Sequence, residues 1–203
     1  MSEAALPLFP LPLVLFPGGR LDLRIFEPRY LDLVRLCTRE NRPFGVCAAL
    51  PPADDPAGAL TPARIGTLAR IVDFHTRADG LLGIRCLGEQ RFRAGPLRVR
   101  DNGLLVTEPT LLDDDMDALV RPEHSLLAQL LDNVLDQAGG EHADAERELR
   151  QRAAWVGFRL AELLPLALAQ RQTLLQCADP HQRLQHLVDW LPELIEAGES
   201  DEG

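Results

Sequence analysis

The chain has 203 residues, 46% of them hydrophobic and 26% charged, which is long enough to bury a substantial core. Its formal net charge is −10, and all 21 of its Lys and Arg positions are arginine. A Walker A loop, a serine–lysine protease dyad and Schiff-base catalysis each need a lysine, so this sequence excludes all three. Its serines, Ser2, Ser125 and Ser200, do not lie in a Gly-x-Ser-x-Gly motif, which makes serine hydrolysis a poor candidate.

The apolar N-terminal segment, residues 1–19, lacks the basic start of a signal peptide and contains several prolines. We therefore expect it to be a strand of the fold rather than a targeting segment. The four cysteines form no Cys-x-x-Cys pair, which favours reduced thiols and a cytoplasmic location. The sequence contains no run of about 18 apolar residues, so we predict no membrane-spanning helix.

A two-residue period runs through the chain from about residue 6 to residue 112. Leu21, Leu23 and Ile25 alternate with polar residues after a turn at residues 17–19, which predicts a half-buried strand. Pro28 then suits the first position of a helix, whose expected end is at residues 41–43. Apolar residues recur in that helix at the spacing of one buried face: Tyr30, Leu33, Val34 and Cys37.

Further strands follow this helix. They are expected at residues 44–50, 65–74, 81–87, 91–99 and 104–110, with a proline-rich loop at residues 51–62. Asp79-Gly80 and Asp101-Asn102-Gly103 are typical of hairpin turns. The pattern predicts a mostly antiparallel sheet that curls towards a barrel.

From residue 113 onward the period becomes about 3.6 residues, which is typical of helices. Aspartates at residues 113–115 and Arg121-Pro122 mark the expected linker. Helices are predicted at residues 123–137, 143–164, 166–177 and 180–196, with Gly139-Gly140 closing the first and an acidic, frayed tail at residues 198–203. They describe a small helical bundle.

The charge distribution also changes at about residue 112. Up to that point the chain carries 14 arginines against 12 acidic residues, whereas beyond it 7 arginines face 19 acidic residues. The two parts therefore have different surfaces. We predict two subdomains, residues 1–112 and residues 113–203.

Three blocks of sequence resemble the amino-terminal, substrate-binding domain of the Lon protease family. The first is LPLFPLPLVLFPGGRLDLRIFEPRYLDLV at residues 6–34, of which IFEPRY is the most specific part. The second comprises GTLARIV at residues 66–72, Asp79-Gly80 and LGEQRF at residues 87–92. The third comprises RLAELLP at residues 159–165, QTLLQ at residues 172–176 and DPHQRL at residues 179–184.

The resemblance implies an α+β fold: a mostly antiparallel PUA-like pseudo-barrel with one inserted helix, followed by a C-terminal helical bundle. In full-length Lon this domain helps to capture substrates, while separate ATPase and protease domains carry the catalysis. We expect a stand-alone bacterial domain without them, which is not an enzyme and needs no cofactor. The implied partners are unfolded or exposed apolar polypeptide segments, or a protease or adaptor partner, so that the chain acts as an adaptor or a chaperone-like protein.

Eight residues are candidates for substrate binding: Phe16, Arg24, Phe26, Glu27, Arg29, Tyr30, Arg91 and Phe92. A forked guanidinium such as that of Arg29 or Arg91 can hold a carboxylate or peptide carbonyls. The structural alternative is a strand-to-helix corner in which Glu27 favours the helix dipole and Tyr30 packs inward. In that alternative, Arg29 and Arg91 form ion pairs with Glu27 or Glu89.

Other binding functions have weaker support. His181 and His186 would lie about 140° apart around a helix, and the aspartates at residues 113–117 lack the pattern of a calcium loop, so we expect no metal site. The apolar residues 6–16 could accept an added strand, although their prolines lack the donors for it. RNA binding stays open because PUA-like barrels include RNA-binding members, but the pI of about 4.9 argues against it. We expect no membrane partner. A structural docking subunit of a larger complex is a further alternative.

Overall fold

The computed structural model describes residues 5–51, 58–113, 116–138, 142 and 145–201, with the backbone alone at residues 138 and 195–201. These residues form an α+β fold with nine strands and five α-helices. The chain divides into two compact units, Met1–Asp113 and Asp114–Gly203. Several predicted features lie wholly or partly outside the described residues: the loop at residues 52–57, the linker at residues 114–115, Gly139-Gly140, the helix start at residues 143–144, and residues 202–203 of the tail. The prediction of a frayed tail is wrong for residues 198–201, whose backbone continues the last helix.

The first unit contains all nine strands and one helix. The strands are β1 (Leu6–Leu11), β2 (Arg20–Ile25), β3 (Phe44–Leu50), β4 (Thr61–Pro62), β5 (Ile65–Thr76), β6 (Leu82–Ala94), β7 (Arg98–Val99), β8 (Leu105–Thr107) and β9 (Pro109–Leu111). Their order in the sheet is β2-β6-β5-β3-β1-β8-β7, with β4 beside β3 and β9 beside β6. The predicted mostly antiparallel sheet is confirmed. Among the described strands, β1 and β3 pair in parallel and all other pairs are antiparallel.

The strand pairings and one short chain connection form a closed circuit. β9 follows β8 after a single residue, Glu108, and pairs with the end of β6 through Phe92↔Leu111 and Ala94↔Pro109. The circuit therefore runs by pairing from β6 through β5, β3, β1 and β8, continues along the chain through Glu108 to β9, and returns by pairing to β6. The strands β6, β5, β3, β1 and β8 have neighbours on both sides, whereas β2 and β7 end the strand order.

The helix α1 (Pro28–Glu40) follows β2 directly, and its predicted start and buried face are confirmed. Pro28 occupies its first turn, where the missing N–H costs nothing. Asn41 ends it in the left-handed conformation, with φ 47° and ψ 48°. The buried face of α1 packs into a core cluster with residues of β2, β3 and β6, among them Ile25, Phe44 and Ile84.

The prediction of two strands at residues 81–87 and 91–99 is wrong. One strand, β6, runs unbroken from Leu82 to Ala94, and β7 is a separate short strand. Gly88, which lies between the two predicted strands, allows a close crossing of the backbone. Its N–H donates to the Gly19 carbonyl at 2.7 Å, and its carbonyl accepts from the Gly18 N–H at 2.8 Å.

The second unit contains four α-helices: α2 (Ser125–Ala138), α3 (Ala153–Leu163), α4 (Leu168–Gln176) and α5 (Pro180–Asp201). Helix α3 packs against each of the other three. The helix predicted at residues 143–164 starts too early. In the described part of this range, α3 begins only at Ala153. A 3₁₀ turn at Leu149–Gln151 and a β-bridge between Leu119 and Arg152 hold the preceding segment in another conformation.

Arg183 connects three of these helices from inside the second unit. Its side chain is fully buried on α5, and its guanidinium lies over the ring of Phe158 on α3, 4.0 Å from the ring centroid. It also donates to the carbonyls of Leu174 at 3.0 Å and Cys177 at 2.6 Å, at the end of α4. A buried charge is tolerated here because carbonyl oxygens and an aromatic face replace its hydration.

Candidate functional site

Five of the predicted binding residues lie together at the corner between β2 and α1, residues 24–30. Phe26 has 60% of its surface exposed, and Arg24 beside it is also exposed. The guanidinium of Arg24 lies over the Phe26 ring at 5.6 Å, and its Nε lies 3.1 Å from Oδ2 of Asp79. The exposed Phe26 ring can contact apolar groups of a ligand, and the Arg24 guanidinium beside it can contact acidic groups.

The rest of the corner is tied into the fold. Arg29 Nε donates to Oε2 of Glu27 at 2.8 Å, so the predicted structural ion pair between these residues is confirmed. The Arg29 guanidinium also lies 4.8 Å from the centroid of the Tyr30 ring, which stacks on Phe9 with centroids 3.8 Å apart. Burial raises the pKa of Tyr30 above its usual value. These contacts fix the direction in which α1 leaves the sheet.

The outer face of the sheet beside the corner carries charged groups. Arg24, Gly83 and His75 are aligned across β2, β6 and β5, and the His75 ring occupies the space that a side chain at position 83 would fill. Next to them, Arg85 donates to both carboxylate oxygens of Asp22, at 2.9 and 3.0 Å. These hydrogen bonds hold the pKa of Asp22 below its usual value. The surface around Phe26 is therefore polar.

The other three predicted binding residues lie inside the first unit, away from the corner. Phe16 and Phe92 are fully buried, and Arg91 is 1% exposed. β6 pairs with β2 through its residues Leu82 to Leu87, whereas Arg91 and Phe92 lie beyond that stretch, with Phe92 in a separate small core cluster. Glu89, the suggested partner of Arg91, pairs with Arg70. A role of these three residues in ligand binding stays a prediction.

A second surface of the first unit was missed by the sequence-based prediction. The end of α1 and the hairpin of β7 and β8 enclose a groove of about 760 Å³, which we call the arginine groove. It is lined by Ala5, Leu36, Arg39, Glu40, Arg42, Arg98, Val99, Arg100, Asp101, Asn102 and Val106. The four arginines come from segments about 60 residues apart in sequence, so no local pattern brings them together. The Arg-Val-Arg triplet at residues 98–100 is the one local signal.

Polar contacts hold the hairpin beside α1. Asn102 Nδ2 donates to Oδ2 of Asp32 at 3.0 Å, and Arg29 Nη1 donates to the Gly103 carbonyl at 3.5 Å. Gly103 has a φ of +81°, which the tight turn between the strands requires. The predicted turn at residues 101–103 is thereby confirmed, and it fixes one wall of the groove.

Neither a metal centre nor a membrane span is present in the part of the chain that the structure describes. The histidine, cysteine and acidic side chains of these residues form no cluster of three or more that could hold a metal ion. Their helices include none that is long and apolar enough to cross a membrane.

Comparison with known proteins identifies the family. The family model for the ATP-dependent protease La (LON) substrate-binding domain matches residues 5–193, which is nearly the whole chain. The chain belongs to this family. The predicted resemblance to the Lon amino-terminal domain is thus confirmed.

Solved structures agree with this family. The Lon N-terminal domain protein from Xanthomonas campestris is 48% identical to this chain, with a TM-score of 0.77 over 92% of this chain and 98% of that one. The N-terminal domain of Lon protease from the Mycobacterium avium complex shares the Lon N-terminal fold, with a TM-score of 0.67 over 92% of this chain and 97% of that one, at 17% identity.

A curated relative from a vertebrate matches part of the chain. Protein cereblon from Danio rerio is 33% identical over 117 residues, or 56% of this chain. The match spans 26% of cereblon, about a quarter of its length.

Proposed function

We propose that this chain is a non-catalytic polypeptide-binding module that holds unfolded or exposed apolar segments of other proteins. The observation that carries the proposal is the match to a substrate-binding domain family over residues 5–193. The absence of lysine adds support, because the nucleotide-binding loop and the protease dyad of Lon enzymes both require that residue. An adaptor or chaperone-like role follows if the held segments are passed to a protease or refold on release.

We place apolar contacts of the ligand at Phe26. It is the most exposed aromatic side chain among those that the structure describes, and its neighbours Glu27, Arg29 and Tyr30 are held by ion-pair and ring contacts. A ring on a rigid support loses little conformational entropy when it binds, which favours affinity. Arg24 beside it can reach a carbonyl or carboxylate of the same segment.

The test uses the intact chain and a permanently unfolded polypeptide, such as a reduced and carboxymethylated secretory protein with a fluorescent label. We expect saturable binding by fluorescence anisotropy, and we expect Phe26→Ala to weaken it by about fivefold or more, as truncation of a binding hot spot does. Leu111→Ala is the control, because Leu111 is 52% exposed but lies on β9, which pairs with the end of β6 far from the corner.

Two results would decide against the proposal. Failure of the unaltered chain to bind any unfolded polypeptide removes the function itself. Equal losses for Phe26→Ala and Leu111→Ala leave the function standing but remove the corner as its site.

The architecture belongs to the same proposal. We propose that residues 1–112 form a PUA-like pseudo-barrel, supported by the circuit that the strand pairings complete through the β8–β9 connection. We also propose that residues 113–203 form a helical bundle, supported by the packing of α3 against α2, α4 and α5. We also propose a cytoplasmic location, because the four cysteines are free thiols, three of them buried.

A further inference from the structure

The arginine groove carries more positive than negative charge. Arg39, Arg42, Arg98 and Arg100 line it, and the acidic residues in its described lining are Glu40 and Asp101. Within a chain of net charge −10, such a local excess of guanidinium groups marks a surface that attracts acidic groups.

The groove already holds one carboxylate. Arg39 Nη2 lies 3.0 Å from Oε1 of Glu40, and Arg42 Nη1 lies 3.2 Å from Oε2 of the same residue. The hydrogen bond from Arg39, and with it that from Arg42, keeps the pKa of Glu40 below its usual value. The arginines at the end of α1 can therefore stabilise an ionised carboxylate even in an exposed position.

The opposite wall has guanidinium groups that can bind a ligand. Arg100 makes no side-chain hydrogen bond or ion pair with the part of the chain that the structure describes. Arg98 pairs with Glu108 at 2.8 Å, but both side chains are more than half exposed, at 56% and 63%. An exposed pair of this kind contributes little energy, so Arg98 can exchange Glu108 for a ligand carboxylate at low cost.

The groove also has apolar surface, which bears on the class of ligand. Val99 is 69% exposed between Arg98 and Arg100, and Leu36, Ala5 and Val106 supply further apolar lining. None of the described lining residues is aromatic, so they offer no platform on which nucleic-acid bases could stack. β7 ends the strand order of the sheet, so an extended chain can lie along it.

We infer that the arginine groove binds an acidic, extended segment of polypeptide, with ligand carboxylates against Arg100 and Arg98 and an apolar ligand side chain against Val99. The inference rests on the proposed function and gives it a substrate class: segments in which acidic and aliphatic residues alternate. The groove then acts beside the corner, which contributes the aromatic contact.

The experiment measures fluorescence anisotropy of labelled ten-residue peptides with the intact chain. One peptide alternates Glu or Asp with Val or Leu, and its analogue replaces every acid by the corresponding amide, which keeps the shape and removes the charge. We expect the acidic peptide to bind about tenfold more tightly than its amide analogue, and its affinity to fall as the salt concentration rises.

Charge-reversal variants locate the site. We expect Arg100→Glu and, separately, Arg98→Glu to weaken binding of the acidic peptide by about tenfold or more. Arg93→Glu is the matched control, because Arg93 is exposed on β6, outside the groove, and we expect it to change the affinity less than about twofold. The thermal transition of each variant shows whether it is folded, and two independent reversals keep the test decisive if one of them unfolds.

Three outcomes would overturn the inference. The first is equal affinity for the acidic peptide and its amide analogue. The second is an equal loss of affinity in the groove variants and in Arg93→Glu. The third is displacement of the peptide by a single-stranded RNA ten-mer at equal or lower concentration. The unfolded polypeptide of the preceding test separates the two proposals. If the chain captures it without any preference for acidic segments, the groove inference alone fails.

Discussion

Gly88 lies where β6 passes close to the turn that precedes β2. A Cβ atom at this position would overlap the carbonyl oxygen of Phe16 and lie 3.2 Å from Cγ of Leu15. The Phe16 carbonyl has little freedom to move, because it also accepts from the Gly19 N–H at 3.0 Å. This crossing explains why a glycine lies in the middle of a continuous strand.

We therefore expect Gly88→Ala to lower the free energy of unfolding by about 1–3 kcal/mol, the usual cost of overpacking. Urea denaturation followed by circular dichroism measures it. Gly80→Asn is the control, because Gly80 has a φ of +78°, which asparagine tolerates, and nothing lies within 4 Å of its added Cβ. A loss for Gly88→Ala no larger than that for Gly80→Asn would show that the backbone at the crossing can yield.

The buried thiols make stability depend on alkaline pH. Burial raises the pKa of Cys37 to about 11 and the pKa values of Cys47 and Cys86 to about 12. In the unfolded chain a thiol has a pKa of about 8.5. Above that value the unfolded state releases protons that the native state keeps, so the free energy of unfolding falls as the pH rises.

We expect a decrease of about 2 kcal/mol per buried thiol between pH 8 and pH 10, because one pKa unit corresponds to about 1.4 kcal/mol. Urea unfolding at the two pH values measures the difference. Cys47→Ala should reduce it by about one third, whatever its effect on stability at pH 8. An unchanged pH dependence in this variant would mean that the Cys47 thiol ionises alike in both states.

Helix α1 ends in a conformation that few side chains adopt. Asn41 has a φ of 47°, and the N–H groups of the terminal turn donate to the carbonyls of Cys37 and Thr38. Glycine adopts this conformation without strain, whereas a β-branched residue does not. The end of α1 is also one wall of the arginine groove, so its geometry affects both stability and the groove.

We expect Asn41→Gly to leave the free energy of unfolding unchanged or slightly higher, and Asn41→Val to lower it by about 1–2 kcal/mol. Chemical denaturation of both variants measures the difference, and each serves as the control for the other. Similar losses for the two variants would show that the asparagine side chain, rather than its backbone conformation, ends the helix.

Elements set by local chemistry were predictable from the sequence. The start of α1 at Pro28 and its buried face follow from a fixed φ and an apolar stripe, and the turns at Gly80 and Gly103 follow from positive φ values. Elements set by distant partners were not. The continuity of β6 through Gly88 depends on a turn about 70 residues earlier, and the late start of α3 at Ala153 depends on the bridge from Arg152 to Leu119.

The candidate site shows the same division. The corner is contiguous in sequence, so residues 24–30 could be predicted as a group, and the Glu27–Arg29 pair within it is confirmed. The sequence could not tell which of the predicted residues are accessible. Phe26 and Phe92 are both aromatic residues near arginines, yet one is 60% exposed and the other fully buried.

The first unit, in its described residues, buries apolar side chains of its own and pairs its own strands. The described members of the two core clusters named above lie between Leu6 and Leu105, and the circuit through the β8–β9 connection closes by Leu111. A segment that buries its own apolar surface and pairs its own strands has what independent folding requires.

We therefore predict that residues 1–113, produced alone, unfold cooperatively and show dispersed amide NMR signals. Gly88→Ala should lower the midpoint of its thermal transition as it does in the full chain, because both atoms of the clash lie within the segment. Arg183→Leu in the full chain is the complementary variant, since it removes the contacts of Arg183 with Phe158, Leu174 and Cys177, all in the second unit. If the units fold independently, this variant lowers one thermal transition and leaves a second at the midpoint of the isolated segment. A single transition that falls as a whole would instead mean that the stability of the first unit depends on the second.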